Sequence, residues 1–144
     1  MPSGKRTGLA IHPLTPDRWD DFETLFGKSG GCAGCFCMWP RLSPAEWLAK
    51  KPVDDSPVWS VTCFFVRRDW RRRGVTAALL AETPRFVAGS GGRMVEGYPF
   101  DVAKEQVPAF VHYGLLGAFR RAGFQEVARC SKHRPIDRKK AAAR

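Results

Sequence analysis

The chain has 144 residues, enough for one domain with one core, and a domain of this size buries roughly 70% of its unfolded surface. Hydrophobic residues make up 44% of it, which is ordinary for a globular protein, and no apolar run approaches the ~20 residues a membrane span needs. The formal charge of +10 says nothing of fold but suits a polyanionic ligand: nucleic acid, an anionic surface, or a nucleotide with several phosphates.

Met1 to Thr7 is basic and polar and lacks the apolar stretch of a signal peptide, so a cytoplasmic protein is expected. Residues 1–7 and 139–144 are expected to be disordered. The basic stretch Lys132 to Arg144 reads as a solvated, frayed end, with strand character over Arg134 to Asp137. The five cysteines, Cys32, Cys35, Cys37, Cys63 and Cys130, are expected to be thiols in a reducing compartment.

Leu9 to His12 reads as a short strand. Thr15-Pro16-Asp17 opens a helix, with Thr15 as N-cap and Pro16 in the first turn. Trp19, Phe22, Leu25 and Phe26 recur at helical spacing, and Gly27 with Gly30-Gly31 ends the run. The Cys32–Trp39 segment follows, then a short helix over Pro44 to Lys50 and a Pro/Asp connector over Lys51 to Pro57. Val58 to Val66, rich in β-branched and aromatic residues and nearly devoid of charge, reads as a central strand. Arg67 to Arg73 is a basic connector. Gly74 to Val87 reads as a helix with Val75, Ala78, Leu79 and Phe86 inward, and Pro84 marks a kink or an early end. Arg93 to Tyr98 is a second buried strand. Ala109 to Ala122 is a helix with Phe110, Leu115, Leu116 and Phe119 near one face, stopped by Gly123. Phe124 to Arg129 is a further strand. The alternation of strand and helix argues an α/β (α+β) sandwich.

The most informative segment is Val61 to Leu80, in which a hydrophobic strand runs into a basic turn and then a helix. Helix N-termini carry unpaired amide donors and the positive dipole end, so they attract phosphate. A glycine at the turn lets backbone approach the anion, and arginines supply forked donors. The segment has neither the glycine-lysine pattern of a P-loop nor the three spaced glycines of a dinucleotide fingerprint. By physics alone it is an anion site, weighed against a solvated basic turn.

Arg71-Arg72-Arg73-Gly74-Val75-Thr76 resembles the [Q/R]-x-x-G-x-[G/A] pyrophosphate loop of the GNAT acyltransferases, with Thr76 at a position usually Gly or Ala. Phe119-Arg120-Arg121-Ala122-Gly123-Phe124 resembles the helix-to-strand junction of that superfamily, and the likeness extends over 58–138. Cys35-Phe36-Cys37-Met38, Val58-Trp59-Ser60-Val61, Val95-Glu96-Gly97-Tyr98-Pro99 and Arg134-Pro135-Ile136 look like an uncharacterised bacterial subgroup. The resemblance implies a single GNAT-like domain over 1–144. Its fold would be a mixed sheet with helices on both faces, and its central strands would splay around acetyl-CoA. It implies transfer of an acetyl group from acetyl-CoA to a primary amine of a small molecule or peptide by direct attack. Backbone amides near Phe64, Phe65 and Val66 would hold the pantetheine and thioester, and those of Arg71, Arg72, Arg73, Gly74, Val75 and Thr76 the pyrophosphate.

The late-helix tyrosine that often protonates the leaving thiolate is replaced by Phe119, and Tyr113 lies six residues away on the same expected helix. Glu96 is the first candidate base, weighed against a salt bridge to an arginine, and His112 the second. Only Arg41 to Pro57 stand where relatives insert a β-hairpin, so the N-terminal half is shortened and an exposed edge would favour a homodimer. No metal is expected, because Cys32, Cys35 and Cys37 lack a matching second pair. Asp54 and Asp55 are weighed as attractors of a cationic amine against a solvated connector. Two other readings stay open: a degenerate, non-catalytic acyl-CoA-binding module, and a basic nucleic-acid-binding protein, for which no recognition signature is present.

Overall fold

A computed structural model describes residues 9–27, 53–102 and 111–142. It is a mixed α/β fold. Among the described residues one sheet carries the strands β1 (Trp59–Val61), β2 (Met94–Gly97), β3 (Gln125–Ser131) and β4 (Arg134–Lys140), in the order β1-β2-β4-β3. The helices are α1 (Trp19–Phe26), α2 (Val75–Gly89) and α3 (Leu116–Arg121). β1 and β2 run parallel, with Trp59, Ser60 and Val61 opposite Val95, Glu96 and Gly97. β4 is antiparallel to both its neighbours.

The core lies between the sheet and α2 with α3. Leu80 and Val87 of α2 and Ala118 and Phe119 of α3 pack with Val95, Ala122 and Phe124. Side chains alternate across a strand, so Val95 and Gly97 face these helices and Glu96 faces the other way. Gly97 is obligatory there, because a Cβ would run into the Phe119 ring. Gly92 has the same duty at the end of α2, where a Cβ would strike Trp59 and Val87. α1 reaches the rest through an aromatic chain: Phe22 on Phe26, and Phe26 stacked 4.5 Å from Phe65.

Several expectations need correcting. Leu9 to His12 forms no strand; Ile11 is exposed there and no ladder partner stands beside it among the described residues. A 3-10 turn (Pro16–Arg18) precedes α1, Thr15 makes no side-chain cap, and Gly27 ends α1 at φ +68°. The Val58–Val66 strand keeps a ladder only over Trp59–Val61, and it is an edge of the sheet among the described residues. Pro84 does not end α2; it is buried within it. The inward set of α2 is Leu80, Pro84 and Val87, one turn-spaced stripe, while Phe86 is exposed against the edge of Trp59. The expected Ala109–Ala122 helix is instead a 3-10 turn (Val111–Tyr113) and the short α3. Gly114 at φ +84° and the extended Leu115, bridged to Phe100, break it. Arg134 to Lys140 is no frayed end but the strand paired on both sides, so residues 139–142 are ordered. The segments 1–8, 28–52, 103–110 and 143–144 lie outside the described residues, and with them the Pro44–Lys50 helix, the cysteines 32, 35 and 37, and the expected hairpin gap. No described helix is long and apolar enough to cross a membrane.

Candidate functional site

The ladder between β1 and β2 stops at Val61 and Gly97. Beyond that point the backbone of Thr62 to Val66 leaves its neighbour, passes through a 3-10 turn (Arg68–Trp70) and reaches the start of α2. Gly74 caps α2 in the left-handed region, φ +78°, and beyond its own chain neighbours no described residue comes within 4 Å of where a Cβ would stand. Arg72 is also left-handed, φ +62°, a conformation that costs a non-glycine residue about 1–2 kcal/mol. The strained, basic loop therefore opens a 15-residue helix whose first amides have no partner within the helix itself.

The arginines of this loop are not equivalent. Arg67 is paired to Asp69, whose guanidinium contact holds the carboxyl below its usual range. Arg71 donates from Nε to the Val66 carbonyl at 3.0 Å, which ties the loop back to the strand. Arg73 lies over the Trp70 ring at 5.3 Å. Arg68 and Arg72 are exposed. Val75 and Thr76 are half-buried in the first turn of α2.

Of the amides expected to face a thioester, that of Phe64 is engaged: it donates to the His112 carbonyl at 2.6 Å. The Phe64 ring meets Phe119 edge-on at 6.1 Å, and Phe65 stacks on Phe26. His112 exposes its ring against Tyr113, with centroids 4.2 Å apart. Phe119 is fully buried. Tyr113 lies under the Arg134 guanidinium, which is sandwiched between it at 4.5 Å and Phe100 at 4.1 Å. Burial there draws Arg134 below its ordinary value.

The other face of the sheet holds a polar array. Ser60, Glu96 and Arg138 stand in register across β1, β2 and β4. Glu96 is 5% exposed and Arg138 8%. Glu96 Oε2 accepts from Arg138 Nε at 2.6 Å, and Oε1 accepts from the Tyr98 hydroxyl at 2.6 Å. Arg138 Nη1 donates to Asp54 Oδ2 at 2.7 Å, and Asp54 Oδ1 accepts the Ser56 amide at 2.9 Å. Arg138 holds the Asp54 carboxyl down to about 2. Burial pushes the Tyr98 phenol up to about 12, with the bond to Glu96 adding to it. Tyr98 Oη lies 3.5 Å from Ser60 Oγ.

Glu96 thus has the arginine partner that the sequence offered as its structural role, and Asp54 serves the same arginine. Asp55 is exposed. The sequence reading passed over Tyr98, Ser60 and Arg138. The i, i+2 spacing of Glu96 and Tyr98 in a strand was the available signal; Arg138 was hidden in what looked like a basic tail. Among the described residues no group of three or more His, Cys, Asp or Glu is placed to hold a metal. No protein-family model, curated protein or solved structure matches this chain.

Proposed function

We propose that the chain is an acyl-CoA-dependent N-acyltransferase of the GNAT type, moving an acetyl group from acetyl-CoA to a primary amine. One observation carries the reading. Two parallel strands part after Val61 and Gly97, and the departing chain runs through an arginine loop to a left-handed Gly74 at the start of α2. A parting parallel pair exposes backbone donors to an extended ligand, while the helix start beside it suits a pyrophosphate. The order of these parts along the chain is that of the motif which Arg71 to Thr76 resembles.

The chemistry needs the two reactants placed, one proton removed from the amine, and one delivered to the departing thiolate. The amine nitrogen bonds to the thioester carbon, the carbon–sulfur bond breaks, and its electron pair leaves on sulfur. Phe119 has no proton to give, so water protonates the thiolate. The oxyanion takes amide donors of the extended segment from Thr62 to Val66. The Phe64 amide is available only after its bond to the His112 carbonyl opens. That bond and Phe119 favour the second reading, an acyl-CoA-binding module without turnover.

Calorimetric titration of acetyl-CoA and CoA into the wild type and Gly74→Glu tests the site. The substitution places a bulky anion in the open space before the helix, in a conformation that favours glycine. Micromolar-range binding by wild type, abolished in a folded variant, is expected. Absence of binding by well-folded wild type would overturn both acyl-CoA readings.

A further inference from the structure

Glu96 is too deeply buried to meet an acceptor. Its two oxygens are already held, one by Arg138 and one by Tyr98, and the carboxylate surface is closed behind them. Tyr98 is different. It is the first residue past Gly97, the last rung of the parallel ladder, so it stands where the two strands part. It is half-buried, and its neighbour Ser60 is exposed on β1. Of the groups in the array, only hydroxyls can accept one proton while passing on another. Arg138 cannot be deprotonated under these conditions, and Asp54 is engaged by that same guanidinium.

We infer that Tyr98 is the catalytic residue that touches the acceptor amine, and that Glu96 acts only through it. This rests on the acyltransferase reading above. The acceptor arrives as an ammonium: its proton moves to Tyr98 Oη while the phenol proton moves to Glu96 Oε1, the freed nitrogen lone pair bonds to the acetyl carbon, and the second nitrogen proton passes to the water that protonates the thiolate. The carbon–sulfur bond breaks and the thiolate leaves with a proton from water. Tyr98 begins and ends as a phenol, and the proton rests on Glu96 until solvent collects it through the same hydroxyl. The exposed Ser60 Oγ, 3.5 Å from Tyr98 Oη, lies on the side from which the amine would approach. Burial that keeps the phenol protonated up to about 12 agrees with a relay in which no free phenolate builds up. The charged groups around it are Glu96 on its own strand, Arg138 on β4 and Asp54 on the connector.

The test uses the full-length wild type, Tyr98→Phe, Glu96→Gln and the double variant. Thiol release from acetyl-CoA is followed with a diamine, an amino acid, an aminosugar and a peptide N-terminus as acceptors. Calorimetry with acetyl-CoA shows that each variant keeps its fold and its coenzyme site. Tyr98→Phe is expected to bind acetyl-CoA as wild type does, and to lose about 10²-fold or more in kcat near neutral pH, the lower range for a positioned acid–base group. The loss should shrink as pH rises and the amine arrives already neutral, which a purely structural role would not produce. Glu96→Gln should match it, and the double variant should be no worse than either, since the two act as one unit. An unchanged kcat in Tyr98→Phe, or a loss equal at every pH, overturns the relay and leaves the acyltransferase reading standing. Coenzyme binding with no turnover on the panel overturns the relay in favour of the non-catalytic module. No coenzyme binding by folded wild type overturns both.

Discussion

Asp137 has no solvent exposure, and among the described residues neither of its carboxylate oxygens accepts a hydrogen bond. The nearest cation is Arg120, with Nη2 at 3.7 Å from Oδ1, and that same nitrogen serves Glu126 at 3.0 Å. Glu126 stands directly across the ladder from Asp137, a like-charge pairing that destabilises a sheet. Burial pushes the Asp137 carboxyl above its ordinary 3.8 despite the pull of Arg120. A carboxyl raised in the folded state stabilises the fold fully below its unfolded value, and that contribution is lost as pH rises through the folded value. Asp137→Asn should therefore gain about 1 kcal/mol over wild type at pH 7, the scale of a buried acceptor left without a donor. The gain should vanish near pH 4. Urea unfolding at both pH values measures it; an equal effect at the two would show that the charge is not the cause. Asp54 has the opposite sign. Its carboxyl is held down to about 2 by Arg138, so its contribution is present above the unfolded value and is lost as pH falls from about 4 through about 2.

At the level of elements, the seat of α3 on the sheet depends on a residue with no side chain. Phe119 lies over Gly97 and is fixed by edge-on contacts to Phe64 at 6.1 Å and to Phe124 at 5.1 Å. The ring has no room to swing aside, so Gly97→Ala should cost about 1–3 kcal/mol of unfolding free energy, the usual range for overpacking a core. An unchanged denaturation midpoint would mean that α3 rides on the sheet more loosely than its contacts imply. Glycine 97 shows how much the sequence revealed. The run Arg93 to Tyr98 was legible as a buried strand because its neighbours are apolar, and the α2 start was legible from its glycine and arginines. The length of the β1 ladder was not, because β propensity records how a side chain fits a pleated surface and not where the partner strand diverges. Nor was the start of α3, which is set by the left-handed Gly114 and the bridge from Leu115 to Phe100. β4 was legible only over Arg134 to Asp137, and its continuation through Lys140 was not. Its Arg-Pro-Ile-Asp-Arg-Lys-Lys sequence carries the charge of a tail, yet Asp137 and Arg138 are buried and Lys139 donates to the Ala122 carbonyl at 2.6 Å. Only tertiary pairing makes such a strand. The Glu96 site was half legible: the acid stood out, but its arginine came from that disguised strand.

Across the whole molecule the positive charge is unevenly answered. Arg85 pairs with Glu82, Arg120 and Arg129 with Glu126, Arg129 with Asp101, and Arg138 with Glu96 and Asp54. The loop from Arg67 to Arg73 holds five arginines against Asp69 alone. Among the described residues that loop is thus a local excess of positive charge at the start of α2, where the proposed pyrophosphate would lie. Two variants of equal charge separate these views. Arg72→Gly removes a loop cation and also relieves a left-handed backbone at φ +62°, so it should leave stability within about 1 kcal/mol of wild type. It should weaken acetyl-CoA binding several-fold in low salt, and less in 0.5 M salt where the Debye length shrinks to about 4 Å. Arg85→Ala, remote from the loop in sequence and paired on the exposed side of α2, should leave that affinity unchanged. If both variants weakened acetyl-CoA equally, and both weakened duplex DNA more steeply with salt, the charge would be acting as a diffuse field. The loop would then be one basic surface among several, and the nucleic-acid reading would be favoured over the acyl-CoA one.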